Sequence, residues 1–273
     1  MKQYNLKTTD GLNLCCYESI INDPAKIVVY VHGYAEHLKR PKFEELAKIF
    51  NENNCDFCSL DQRGHGESDG VRGYTDSFER YREDLNLFIS QLKKKNKPVI
   101  MIGHSMGGLI VLDYITSPFK NDISSSVIMS PLLKLLVKND LKEFFGKLLS
   151  KIKPTMLLPT EIKPEWITHD KEEVFKYAND PKIFKTFSVR WYFESLKCMD
   201  KINKLPSEII NPVLFVHGTS DKLCDFNATK KFFEGVTFPK KKFIEKEEKF
   251  HELLNETDWR ETVGDILTWI KAN

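Results

Sequence analysis

Five short apolar runs, separated by stretches of helical period, restrict this chain to one broad architecture. They are Ile27-Val28-Val29-Tyr30-Val31, Phe57 to Leu60, Val99 to Ile102, Val127 to Met129 and Val213 to Val216. None of them alternates apolar with polar residues, so each predicts a strand covered on both faces, as in a parallel sheet. A weaker run spans Lys242 to Glu245. Between them, Phe43, Leu46, Ala47 and Phe50 make one helical stripe and Tyr81, Leu85, Phe88, Ile89 and Leu92 another; Trp259 to Ile270 repeats the pattern. Strands alternating with helices predict an α/β fold, a mostly parallel sheet with helices on both faces. The chain opens differently: two alternating segments, Gln3 to Thr8 and Leu12 to Ser19, flank Asp10-Gly11 and predict an antiparallel hairpin.

The alternation breaks between Ser130 and Asn211, where no clear strand is legible and prolines recur. Leu132 to Ile152 reads as helix-like. The segment is too long for an ordinary crossover. The expected organisation is a core of residues 1–129 and 212–273 with a helical cap, or lid, of residues 130–211 over the strand ends, where such sheets bind ligands.

Composition excludes several functions. Among 273 residues, 41 Lys and Arg against 39 Asp and Glu leave a net charge of +2, which gives nucleic acid no electrostatic footing as a partner. There is no apolar leader at Met1 to Lys7 and no membrane-length apolar stretch, so the expected location is cytoplasmic. Cys55-x-x-Cys58 has no second such pair to complete a zinc site and flanks an apparent buried strand, so reduced thiols are expected there.

The chemistry concentrates where Val99 to Ile102 runs into Gly103-His104-Ser105-Met106-Gly107-Gly108, followed by the helix-like Leu109 to Tyr114. This is G-x-S-x-G in a strand, turn and helix context, which sets the serine on a sharp turn at a helix N-terminus. Ser105 is the candidate nucleophile. An alcohol needs a base, and the base an orienting carboxylate, in the chain order Ser, acid, His. His251 is the sole histidine after residue 221. Asp221 follows the strand Val213 to Val216 in His217-Gly218-Thr219-Ser220-Asp221; it is favoured over its rival Asp225 because it is nearer the strand end and follows Gly218. His251-Glu252 does not begin a zinc-binding HExxH, since position 255 is Asn. His65 and His104 read as structural groups, and His169 falls in the cap.

These motifs together resemble the monoacylglycerol lipase and lysophospholipase-like branch of the α/β-hydrolases, also grouped with serine aminopeptidases. The resemblance rests on His32-Gly33-Tyr34-Ala35-Glu36-His37, Asp61-Gln62-Arg63-Gly64-His65-Gly66-Glu67-Ser68, the Ser105 pentapeptide, Gly218 to Asp225 and His251 to Glu256, spanning nearly the whole chain. It implies an α/β-hydrolase fold of about eight strands with a lid. It also implies an oxyanion hole from the backbone N–H groups of Tyr34 and Met106, and a bracing role for the Arg63 motif. Two departures stand out: Tyr34 is bulky where relatives carry a small residue, and Lys246 to Phe250 is charged where a glycine-containing loop is usual.

The expected function is hydrolysis of carboxylic esters, above all single-chain lipid esters, through an acyl-enzyme and without metal or organic cofactor. Alternatives are a small-ester carboxylesterase, an aminopeptidase of the same fold, which would need acidic groups to hold an ammonium, and a non-catalytic binding protein. The lid is expected to line an acyl tunnel, with Leu136 and Phe145 as its substrate-binding residues. Its interleaved lysines, Lys134, Lys138, Lys142, Lys147, Lys151 and Lys153, would suit peripheral contact with a membrane surface.

Overall fold

The computed structural model describes residues 1–136 and 150–273. Among these residues the strands in chain order are β1 (Lys2–Lys7), β2 (Asn13–Ser19), β3 (Lys26–Val31), β4 (Cys55–Leu60), β5 (Val99–His104), β6 (Ser125–Met129), β7 (Leu157–Pro159), β8 (Thr186–Ser188), β9 (Val213–Gly218) and β10 (Lys241–Lys246). Eight form one sheet in the order β1-β2-β4-β3-β5-β6-β9-β10. From β4 to β10 neighbouring strands are parallel; β1 and β2 make the antiparallel hairpin, and β2 joins β4 antiparallel.

The helices are α1 (Pro41–Glu52), α2 (Glu79–Leu92), α3 (Met106–Ile115), α4 (Lys171–Asn179), α5 (Val189–Ile202), α6 (Phe226–Glu234) and α7 (Trp259–Ala272). Both faces of the sheet are covered, which is why its central strands read as unbroken apolar runs. In β3, Ile27, Val29 and Val31 pack in a core shared with α2, α3 and α5, while Val28 and Tyr30 pack with α1 and α7. All six cysteines are buried free thiols within these layers.

Strand order fixes where a ligand can sit. From β3 the chain moves to β4 on one side, and β5 then returns to the other side of β3. The loops leaving β3 and β5 therefore diverge to opposite faces, opening a crevice at the carboxyl ends of the two strands. His32 to Glu36 follows β3, and Ser105 follows β5.

The segment between β6 and β9 differs from the expectation in two ways. It contains strands: β7 and β8 pair antiparallel, with Leu157 opposite Ser188. Residues 132–136 are not helical. Leu135 bridges Cys224, the Leu136 N–H donates to the Leu223 carbonyl at 2.9 Å, and the Asp225 N–H donates to Lys134 at 2.9 Å. An apolar run such as Leu132 to Leu136 suits strand or helix, and the edge offered by residues 223–225 decides for extended backbone. Among the described residues no helix is long and apolar enough to cross a membrane.

Candidate active site

The turn at Ser105 is built from close packing. Ser105 has φ 55° and ψ −117°, a conformation held by its N–H donating to Met129 (3.0 Å) and its carbonyl accepting from Leu109 (3.1 Å) and Leu132 (3.0 Å). A Cβ on Gly107 would lie 2.0 Å from the Val31 carbonyl oxygen, so only glycine lets α3 lie this close to β3. Ser105 is left partly exposed at the start of a helix whose ten residues are all buried.

Two loops bring up its partners. The loop after β9 carries Asp221 and the loop after β10 carries His251, and they are laced together: the Thr219 N–H donates to Lys246 (2.9 Å), Ser220 N–H to Lys249 (3.0 Å) and Glu248 N–H to the Thr219 hydroxyl (2.8 Å). Within this charged loop Glu248 adopts φ 57°. Ser105 Oγ lies 2.9 Å from His251 Nε2, and His251 Nδ1 lies 2.7 Å from Asp221 Oδ2. Because a carboxylate only accepts, Nδ1 carries the proton and Nε2 is free to accept from the serine hydroxyl.

Asp221 is fully engaged. Oδ1 accepts from the Leu223 (2.8 Å) and Cys224 (3.0 Å) N–H groups, and Oδ2 accepts from His217 Nε2 (2.9 Å) as well as from His251. Burial would raise its pKa, but the electrostatic pull of the neighbouring His251, then the His217 and His251 hydrogen bonds, outweigh it and hold the carboxyl below the ordinary range. Asp225 does something else. It caps α6, accepting from the Ala228 N–H at 3.1 Å, and pairs with Lys134 at 2.6 Å.

Met106 follows the serine in the chain, and the loop that carries Tyr34 passes beside it. Met106 opens α3, so its N–H has no acceptor within the helix. The loop before Tyr34 passes so close that a Cβ on Gly33 would lie 3.3 Å from Ser105 Cβ. His32 fastens this loop, its Nε2 accepting from the Gln62 N–H at 2.8 Å, and the Gly33 N–H donates to Glu36 Oε2 at 3.0 Å. In the Arg63 motif, Arg63 bonds Asp84 through Nε (2.7 Å) and Asp10 through a terminal nitrogen (2.9 Å), tying the hairpin to α2.

A cleft of about 1100 Å³, part of it open to solvent, lies over Ser105. One part of its wall is apolar, with Leu132, Leu135, Ile183, Phe187, Trp191 and Leu223. Another is charged, formed by Glu36, Arg40, His104 and Glu252. Arg40 sits 3.4 Å from Glu36 and 3.8 Å from Glu252, and His104 Nδ1 lies 3.8 Å from Glu36. Burial opposes charge on His104, but the Glu36 carboxylate, then Glu252, outweigh it and raise its pKa. Burial, reinforced by the like charge of Glu36 against the pull of Arg40, raises Glu252. Sequence inspection left His217, Glu36, Arg40 and Glu252 unassigned. Glu36 lies in the motif with Tyr34, Arg40 follows Glu36 at i, i+4 spacing, and Glu252 adjoins His251.

Of the two expected lid residues, only Leu136 is described. Leu136 is 47% exposed and does not line the cleft; Leu135 does. Successive side chains of extended backbone point to opposite sides, so Leu135 turns in and Leu136 out. Phe145, with Phe144, Leu148 and Leu149, lies outside the described residues. His169 lies in the inserted segment as expected. Its ring stacks on Phe250, with centroids 3.7 Å apart, and its Nδ1 meets Glu256 at 3.1 Å.

A family model described as serine aminopeptidase, S33, matches residues 22–258. An abhydrolase domain-containing protein of Dictyostelium discoideum is 30% identical over 250 residues, 91% of this chain, which spans only 26% of that protein's length. Phospholipase YtpA of Bacillus subtilis is 29% identical over 238 residues, covering 86% of this chain and 91% of YtpA. Of solved structures, the Paleococcus ferrophilus monoacylglycerol lipase superposes with a TM-score of 0.84 at 26% identity, covering 93% of this chain and 97% of that one. This chain is an α/β-hydrolase and belongs to the serine aminopeptidase S33 family.

Proposed function

We propose that the chain hydrolyses carboxylic esters of lipid character through an acyl-enzyme on Ser105. The observation that carries this is the unbroken contact from Ser105 Oγ to His251 Nε2 and from His251 Nδ1 to Asp221, at 2.9 and 2.7 Å, at the base of a cleft with a largely apolar wall. Ser105 attacks the ester carbonyl as His251 takes its proton; Asp221 holds the imidazole and balances its charge. The Tyr34 and Met106 amides receive the oxyanion. His251 then protonates the departing alcohol, and water, deprotonated by His251, releases the acid.

The two walls of the cleft divide the substrate. An acyl chain suits the apolar wall, where each buried methylene contributes about 0.8 kcal/mol. The Glu36, Arg40 and Glu252 side suits an alcohol bearing further hydroxyls, with both donors and acceptors presented. The described residues of the inserted segment act as the cap over this cleft, with Leu135, Ile183, Phe187 and Trp191 on its wall. Ile152 (65%) and Leu157 (48%), exposed close to Lys151 and Lys153, suit contact with a lipid surface. The lipid activities of YtpA and of the Paleococcus enzyme, as their names give them, support the same assignment.

The acidic wall gives the aminopeptidase reading a specific footing, since Glu36 and Glu252 line the cleft. Arg40 and His104 already pair with them, Arg40 also with Glu173 at 3.1 Å, and a neutral polar head group meets these donors and acceptors without displacing an ion pair. A series of p-nitrophenyl esters of rising chain length, run beside aminoacyl anilides, separates the two. Ester turnover that climbs with chain length, without anilide turnover, is expected; anilide turnover alone would overturn the ester assignment.

A further inference from the structure

The side chain of Tyr34 does not turn into solvent. Its hydroxyl donates to the Thr186 carbonyl of β8 at 2.9 Å and lies 3.4 Å from the Gly73 carbonyl, in the loop before α2. The ring packs against Trp191 of α5 with centroids 3.9 Å apart and meets Phe184 edge-on at 5.3 Å. Thr186, Phe184 and Trp191 all belong to the inserted segment. Gly73 is matched to this arrangement: with φ 62°, a Cβ there would lie 2.3 Å from the Tyr34 hydroxyl oxygen. The Gly73 carbonyl in turn accepts from the Ser188 N–H of β8 at 3.1 Å. Three pieces of chain, the loop after β3, the loop before α2 and the cap strand, therefore meet at one phenol.

We propose that Tyr34 is a positioning residue whose hydroxyl fastens the oxyanion loop to the cap and so sets the aim of its own backbone N–H toward Ser105. The proposal rests on the acyl-enzyme reading above. Gly33 is held at its N–H by Glu36 and at its carbonyl by His32 Nδ1, at 3.0 and 2.7 Å. The peptide plane that presents the Tyr34 N–H is then fixed on its far side by Ala35, at φ 58°, and by the Tyr34 side chain itself. A small residue at this position would leave the loop without its tie to β8. An oxyanion donor acts through placement in advance of the reaction, and a displacement of about 1 Å in a catalytic group can cost on the order of 100-fold.

Tyr34→Phe keeps the ring contacts and removes the donor. The test measures kcat and KM on acetate and octanoate esters, affinity for an alkyl boronic acid that forms a tetrahedral adduct with the serine, and melting temperature. The expected result is a kcat lower by about tenfold on both esters, boronate binding weakened by a similar factor, and KM changed less than about twofold. A variant with 4-aminophenylalanine in place of Tyr34, which restores a donor at the same point, is expected to recover kcat. Wild-type kcat and boronate affinity in Tyr34→Phe, with or without a lower melting temperature, would overturn the proposal. So would a change confined to KM for the longer ester, which would make Tyr34 a pocket wall only. Ser105→Ala runs in parallel: ester turnover surviving in it sinks the acyl-enzyme reading, whereas an inactive Ser105→Ala beside a wild-type-like Tyr34→Phe sinks only this inference.

Discussion

His217 Nε2 lies 2.9 Å from Asp221 Oδ2, the same oxygen that His251 engages from 2.7 Å. His217 is wholly buried, and its Nδ1 has no partner among the described residues. Its proton therefore sits on Nε2, directed at Asp221. Losing a hydrogen bond to a charged group costs about 1.5–3 kcal/mol, so His217→Phe is expected to lower kcat/KM on the order of 10- to 100-fold. His217→Gln, whose amide can donate to the same oxygen, should stay within a few-fold of wild type. Equal losses in the two variants would remove the donor role.

Asp221 and Asp225 separate by what they hold. Asp221→Asn is expected to lower kcat by about 10⁴, by turning the His251 tautomer the wrong way. Asp225→Ala loses a helix cap, so it should cost about 1 kcal/mol of stability and leave kcat nearly intact. Steady-state kinetics beside urea unfolding reads both, and a larger kcat loss at Asp225 would reverse the assignment.

Much of this was legible because the relevant signals are local. The runs at β3, β5 and β9 mark strands with both faces covered, and glycines at 103 and 107 mark a turn that tolerates no Cβ. The order of Ser105, Asp221 and His251 follows from the connectivity. What the sequence hid depends on contacts between distant segments. Leu132 to Leu136 carries no preference strong enough to foretell extended backbone, since that is set by residues 223–225. Leu157 to Pro159 and Thr186 to Ser188 are too short to register as strands before they meet. Glu36, Arg40 and Glu252 read as ordinary charges until the fold buries them together.

His104 should make stability depend on pH. Its folded pKa is raised, with burial opposing and Glu36 prevailing. Such a group binds its proton more tightly folded than unfolded, so its contribution is fully present below the ordinary histidine value of about 6.5 and is lost as pH rises through the raised one. The stability gap between wild type and His104→Gln is therefore expected to be larger at about pH 6 than at about pH 8.5. Urea unfolding at the two pH values measures it; a gap that grows with pH would contradict the pairing with Glu36.

The extended backbone at residues 134–136 gives neighbouring leucines opposite duties. Leu135→Ser is expected to flatten the rise of kcat/KM with acyl length, which should be roughly fourfold per buried methylene in the wild type. Leu136→Ser should leave that slope unchanged. Chain-length series for the two variants decide it, and a flattened slope in Leu136→Ser would put that side chain on the acyl path.

Everything proposed for the cleft depends on Ser105 being the nucleophile of an ester hydrolase. Peptide mapping after reaction with a fluorophosphonate, followed alongside ester turnover, tests it most directly. One adduct per chain on the peptide containing Ser105, with turnover falling in proportion and both absent in folded Ser105→Ala, is the predicted result. An adduct on another residue, or undiminished turnover in Ser105→Ala, would contradict it.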